Sequence, residues 1–326
     1  MSTDPRSSIL IAVKADNAFL RECLEHCGRL RDQDFEIVVL PDEPCRLDYP
    51  RTRVVPTGPQ GPSEKRDRGL AAARGNILAF LDDDAYPDPG WLSAAVEALA
   101  QPDVAAVGGP AVTPPGDGER EQASGLVYAS WLVAGPFAYR YVPRGRRDVE
   151  DYPTCNLVVK REALQRVGGF DTCYWPGEDT VVCLKIIRDL RQRIVYDPKV
   201  LVYHHRRSLF RGHLRQVTSY ATHRGYFVKR FPKTSLKASY FFPSLWLAGM
   251  SLGWLPALRW NPWLGWWAAG VGVYLLLACA GACRAKTWRL RFLVLGGIIA
   301  THAAYGWFFL RGLLAGRLGE ETAGRK

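Results

Sequence analysis

The chain begins with short apolar runs that alternate with longer amphipathic ones. Ile9 to Val13 is continuously apolar, Ala18 to Arg31 repeats its apolar positions at helical spacing, and Phe35 to Leu40 (FEIVVL) is β-rich. Val54 and Val55 predict a short third strand, Ser63 to Arg74 a helix opened by Ser63, and Ile77 to Leu81 a further strand. Another strand is expected over Ile194 to Tyr203. This alternation, lasting to about Asp197, predicts an α/β class with a mostly parallel sheet covered by helices. Such sheets bind ligands beyond the carboxyl ends of their strands. Asp42 follows one such end and Asp82 to Asp84 follow another, so these acids are expected to face one crevice.

The last third has a different pattern. Residues 238–258, 260–283 and 292–310 each lack any Asp, Glu, Lys or Arg, and a helix of roughly 20 such residues crosses a bilayer. Trp and Tyr crowd their ends, as at a headgroup level. Helices buried in a large soluble core are the alternative. The expected organisation is a cytosolic catalytic domain over 1–235, a membrane domain over 236–316 and a polar tail over 317–326. The loop 284–291 carries Arg284, Lys286, Arg289 and Arg291 and is therefore expected in the cytosol. Three passes would then leave Arg311, Arg317, Arg325 and Lys326 outside, against the same rule, unless the first run does not span.

Composition narrows the partners. Hydrophobic residues make up 48% of the 326, which excludes a disordered polyelectrolyte. The formal charge of +11 is uneven, because no acid lies between Asp197 and Glu320, and this asymmetry points to an anionic surface or substrate. The basic, aromatic stretch from Tyr203 to Lys237 could hold nucleic-acid phosphate, but its place beside the apolar runs points to anionic lipid instead. No CxxC occurs among the eight cysteines, so reduced structural thiols are expected. Ile9 to Val13 is too short for the core of a signal peptide, which keeps the front of the chain in the cytosol of a multi-pass cell-membrane protein.

Two acidic clusters carry the candidate chemistry. If the strand runs on through Asp82 to Asp84, the outer two share a face and Asp83 points away. A hard divalent ion, Mg²⁺ or Mn²⁺, bridging to phosphate would relieve their repulsion. A solvated loop that caps the next helix is the alternative. The second cluster, Trp175-Pro176-Gly177-Glu178-Asp179-Thr180, precedes a helical run. Glu178 or Asp179 could cap that helix or serve as a general base on a substrate-facing turn that includes Trp175. His204 or His205 is a candidate further metal ligand or diphosphate contact. Arg215, Arg224 and Lys229 are candidates for donor or acceptor phosphate, with a solvated face as the alternative.

Taken in order, Asp42, Lys65-Arg66-Asp67-Arg68-Gly69, Ala73 to Asp84, Thr154-Cys155-Asn156, Val167 to Asp171 and Gly177-Glu178-Asp179 resemble a family 2 inverting glycosyltransferase of the GT-A fold, over about residues 7–230. The resemblance implies a nucleobase contact at Asp42, ribose and metal contacts at Asp82 and Asp84, and a general base at Asp179 with Glu178 beside it. Lys65 and Asp83 fall in the implied nucleotide-sugar site, and Asn156 in the sugar or acceptor site. Arg66-Asp67 departs from the family's Arg-Asn, Asp42 lacks the usual Asp-Asp-Gly-Ser setting, and Gln216 to Tyr220 does not match the QxxRW of processive members. The implied activity is a single sugar transfer, metal-dependent, from a nucleotide-sugar to a hydroxyl of a lipid-linked or cell-envelope glycan acceptor. A polyprenyl-phosphate glycosyltransferase and a catalytically silent nucleotide-sugar-binding scaffold are the alternatives.

Overall fold

A computed structural model describes residues 4–319, so residues 320–326 of the expected tail lie outside the described residues. The chain first forms β1 (Ser7–Ala12), α1 (Ala18–Gly28), β2 (Phe35–Leu40), β3 (Thr52–Val54), α2 (Pro62–Ala72) and β4 (Ile77–Asp82). Next come β5 (Ala85–Pro87), α3 (Trp91–Leu99), β6 (Val104–Gly108), β7 (Ala111–Val112), α4 (Glu119–Ala129) and α5 (Trp131–Ala134). Then follow β8 (Arg147–Val149), β9 (Asn156–Lys160), α6 (Arg161–Arg166), α7 (Glu178–Asp189), β10 (Arg193–Tyr196) and β11 (Val202–His204). The rest is helical: α8 (Arg211–Arg230), α9 (Pro232–Ser235), α10 (Ala238–Leu252), α11 (Pro262–Ala282) and α12 (Trp288–Leu314). The elements divide into two compact units, one built from the residues up to Val112 with Val142–His205, the other from Thr113–Tyr141 with the residues from Arg206 onward.

The first unit is a mixed α/β layer structure. Its main sheet has the order β3-β2-β1-β4-β9-β6-β10-β8. β1 pairs in parallel with β2 and β4, whereas β9 enters antiparallel between β4 and β6. The strands β3-β2-β1-β4 thus form a parallel block that alternates with covering helices, and β6 and β10 add a further parallel pair. A small second sheet, β5-β11-β7, stands apart from it. α1 shows how sequence sets these elements: Asn17 Oδ1 accepts from Leu20 N at 2.9 Å to cap it, and Leu20, Cys23, Leu24 and Cys27 form its buried stripe. Two local expectations change. α2 begins at Pro62 behind Gly61 rather than at Ser63, because proline at the first helical position needs no donor. The strand expected over Ile194 to Tyr203 is two strands in different sheets, since Asp197 folds the chain by accepting from Lys199 N at 2.9 Å in a turn that also contains Pro198.

The second unit is all helical, with a core that includes Val127, Leu209, Tyr274, Ala278, Val294 and Ile298. Ala238–Leu258, Pro262–Ala282 and Trp288–Leu314 are each long and apolar enough to cross a membrane. A polar pin also holds this unit. Thr301 Oγ1 donates to Gly297 O at 2.6 Å, so its oxygen accepts from His213 Nε2 at 2.9 Å. His213 Nδ1 is then left to accept from Ser124 Oγ at 2.8 Å. Burial, and secondly the charge of Arg206, pulls the imidazole down to about 4. The folded protein therefore keeps His213 neutral where the unfolded chain protonates it below about pH 6.5. The stability this contributes is full above that pH and is lost as pH falls toward 4, by about 3 kcal/mol in all. Thermal unfolding in detergent from pH 8 to 4 should show this loss as the difference between the wild type and His213→Asn, whose own profile should be flatter.

Candidate active site

The C-terminal ends of β1, β2 and β4 bring the first acids together. At the β1 and β2 ends the buried Lys65 ammonium donates to Val13 O, Leu40 O and the Asp42 carboxylate, which uses all three of its protons. Lys65 thereby ties two strand ends and steadies Asp42, whose side chain stays partly open at the sheet edge. A direct donor contact by Lys65, as expected from the sequence, is not what this geometry provides.

β4 ends on Asp82, and Asp83 and Asp84 form the turn into β5. Strand pleating therefore does not align Asp82 with Asp84. The small sheet does, by bringing in a third group: β11 runs antiparallel to β5 with His204 opposite Ala85, and His205 N donates to Asp84 O at 2.9 Å. His204 Nε2 consequently lies 3.1 Å from Asp84 Oδ1. One potential ligand atom from each of Asp82, Asp84 and His204 lies within 4.8 Å of the others. Two carboxylates and an imidazole, none fully buried, fit a divalent ion such as Mn²⁺. Burial pushes the Asp82 carboxyl up, against the pull of the Arg66 guanidinium. Asp83 accepts from Asn17 Nδ2 at 2.8 Å and so braces the α1 cap. His205 faces Glu22, 3.0 Å away, and is removed from the metal set.

A buried arginine joins this cluster to the second one. Arg66 donates to Glu178 Oε1 at 2.7 Å and to Asp82 Oδ1 at 3.3 Å, with its guanidinium over the Phe170 ring. Gly177, at φ 129°, forms the turn that starts α7 and suits only glycine without strain. Glu178 points inward to Arg66, which leaves the half-buried Asp179 as the more open acid of the pair and still within electrostatic reach of Arg66. The neighbouring Asp67 accepts from Phe170 N at 2.7 Å and fixes the Gly168-Gly169 turn, where a Cβ at Gly169 would meet its carboxylate. The acid at position 67 is therefore a structural brace.

Other candidates fall elsewhere. Asn156 is fully buried, accepting from Trp91 Nε1 at 2.8 Å and donating to Gly109 O and Val200 O at 2.7 and 2.8 Å, so both of its amide protons are already engaged inside the fold. Trp175 is 57% exposed beside the Gly177 turn. Arg215 and Arg224 belong to the helical unit; Arg215 is exposed, and Arg224 stacks on the Tyr240 ring and donates to Ser235 Oγ at 3.2 Å. Arg66 is the residue that sequence reasoning passed over, although a buried cation between two acidic motifs was signalled by its place one turn into α2. Removing it strands two acids, so Arg66→Met should destabilise the unit by about 3–5 kcal/mol in denaturant unfolding. His204→Ala should weaken Mn²⁺ binding at least about tenfold by titration calorimetry, and His205→Ala should not.

A family model described as Glycosyl transferase family 2 matches residues 8–168, which include both strand-end acids. The pre-mycofactocin glycosyltransferase of Mycobacterium tuberculosis is 32% identical over 161 residues, 49% of this chain and 33% of that protein. The glucosyl-dolichyl phosphate glucuronosyltransferase of Haloferax volcanii is 28% identical over 153 residues, 44% of this chain and 48% of that one. The chain thus spans between a third and a half of these curated relatives. Among solved structures, the mannosyltransferase PcManGT from Pyrobaculum calidifontis, in complex with GDP-Man and Mn²⁺, aligns with a TM-score of 0.54 at 20% identity, covering 97% of this chain and 89% of that one. That likeness establishes the fold, a GT-A-like sheet, and within it residues 8–168 match glycosyl transferase family 2.

Proposed function

We propose that the chain is a metal-dependent inverting glycosyltransferase that moves one sugar from a nucleotide-sugar to a hydroxyl of a lipid-linked acceptor at a membrane surface. The observation that carries this reading is the Asp82, Asp84 and His204 set, coupled through Arg66 to the start of α7. In this reading Asp42 contacts the nucleobase, and Asp82, Asp84 and His204 hold the divalent ion. When bound, the ion neutralises the leaving nucleoside diphosphate as a Lewis acid. Asp179 takes the acceptor hydroxyl proton at a carboxylate oxygen while that hydroxyl attacks the anomeric carbon from the opposite face. The C–O bond to the diphosphate breaks as the new glycosidic bond forms, so no covalent enzyme intermediate is needed. Glu178 serves Arg66 rather than the substrate. The apolar helices and a relative named for a dolichyl phosphate substrate support a lipid-linked acceptor.

The test is a screen of nucleotide-sugars for nucleoside diphosphate release by the full chain in lipid, with Mn²⁺, with Mg²⁺ and with chelator. Release is expected with a divalent ion alone, and release that survives chelation would overturn the metal role. Asp179→Asn should lower kcat about 10²–10⁴-fold with donor KM little changed. Substantial residual transfer would favour a phosphate oxygen as acceptor, which needs no proton removed.

A further inference from the structure

The pairing of α8 with α12 bears on how the chain meets a membrane. His213 bonds Thr301 and the Lys229 ammonium donates to Ala315 O, partners 88 and 86 residues apart. Leu209 and Phe210 lie against Gly297 and Gly296, and no Cβ fits at Gly225 against Phe309 or at Gly312 against Thr222. The nearly constant offset means that the two helices run side by side, in the same direction, from the start of α8 to its end. α8 is no companion for a lipid-spanning helix. It carries Arg211, Arg215, Arg224, Lys229 and Arg230, and all but Arg224 are exposed. Arg211 and Arg215 flank His213 and so sit level with Thr301, the midpoint of the uncharged run 292–310. Were α12 to cross, these arginines would lie in the hydrocarbon centre without acids on α8 to pair with, where cations are costly. The part of α12 before Leu295, which α8 leaves uncovered, rises only about 10 Å at helical pitch, against about 30 Å of hydrocarbon.

α10 and α11 behave differently. Their near halves dock on α12, as far along as Ser244 Oγ donating to Gly306 O at 2.9 Å and Tyr274 Oη bonding His302 Nδ1 at 2.9 Å. Their far ends meet at a turn of exposed apolar surface, with Leu258 73% and Trp266 68% exposed and Trp254 and Trp260 close by in sequence. Arg259 is the one charged residue between Lys237 and Arg284. We propose that the chain enters the bilayer as this α10–α11 hairpin, whose occupant is lipid, and that α12 stays with α8 at the headgroup level on the side from which the hairpin enters. Segments before α10 and after α11 then face one compartment. This arrangement places the four cations of 284–291 together with Arg311 and Arg317 on the cytosolic side, which three passes cannot do.

Two fusions of the full chain after Lys326 test it in bacterial cells, one to alkaline phosphatase and one to green fluorescent protein. The fluorescent fusion is expected to be bright and the phosphatase at least tenfold below a secreted control. An active phosphatase with a dark fluorescent fusion would mean that α12 crosses and would overturn the proposal. A second reading guards against a misfolded fusion. Ser219→Cys, on the exposed side of α8, should gain labelling by a membrane-impermeant maleimide over the wild-type background in inverted vesicles and none in intact cells; gain in intact cells overturns it. Release of the wild-type chain from membranes by alkaline carbonate would overturn the hairpin.

Discussion

One buried guanidinium joins segments that the sequence holds far apart. Arg66 reaches Glu178, 112 residues later, and Asp82, 16 residues later, while its neighbour Asp67 grips the turn at Phe170. A charge this deep cannot shed its proton, so acids must face it. Lysine is a poorer fit here, because it lacks the planar fork whose two terminal nitrogens reach Glu178 and Asp82 separately. α2 is held against β1 and β2 by the parallel β-α-β crossover, which fixes where the guanidinium emerges. Through it the end of β4 and the start of α7 are held in one frame. The proposed base, Asp179, owes its position to the residue before it.

The metal candidates depend on a second, smaller constraint. Three short strands set His204 beside Asp84, with Tyr203 stacked on Tyr86 at 5.1 Å to hold the register. A slip of one residue would send His204 to the other face and bring Tyr203 or His205 in its place. This is why one histidine of an adjacent pair joins the carboxylates while the other bonds Glu22.

The α/β alternation, the strand ends at Asp42 and Asp82, and the start of α7 were legible because period and turn residues are local properties. What stayed hidden depends on partners distant in sequence. Asn156 reads as a polar residue near a motif, and only the fold supplies the Trp91, Gly109 and Val200 groups that consume it. Lys65 reads as part of a nucleotide-sugar site, and only the fold supplies the two backbone carbonyls and the Asp42 carboxylate that take its protons. Asp67 reads as a departure from a pattern, yet it meets a backbone donor 103 residues away. The break at Asp197 was local and legible in principle, since Asp-Pro favours a turn, but the apolar residues on either side outweighed it.

The helical unit makes the same point about hydropathy. A window of uncharged residues says that a helix can enter lipid without cost; its neighbours decide whether it does. α12 is uncharged from Phe292 to Leu310, but its glycines press it against α8 and its Thr301 takes a bond from a buried histidine of that helix. α11 has an equally apolar sequence, but much of its first half packs against little else, with Leu264 and Trp266 exposed. The difference between them is therefore one of packing and not of composition. In a fold where a charged helix must lie beside an apolar one, the charged partner sets the depth of both, because moving the pair into hydrocarbon costs more than leaving some apolar surface at the interface.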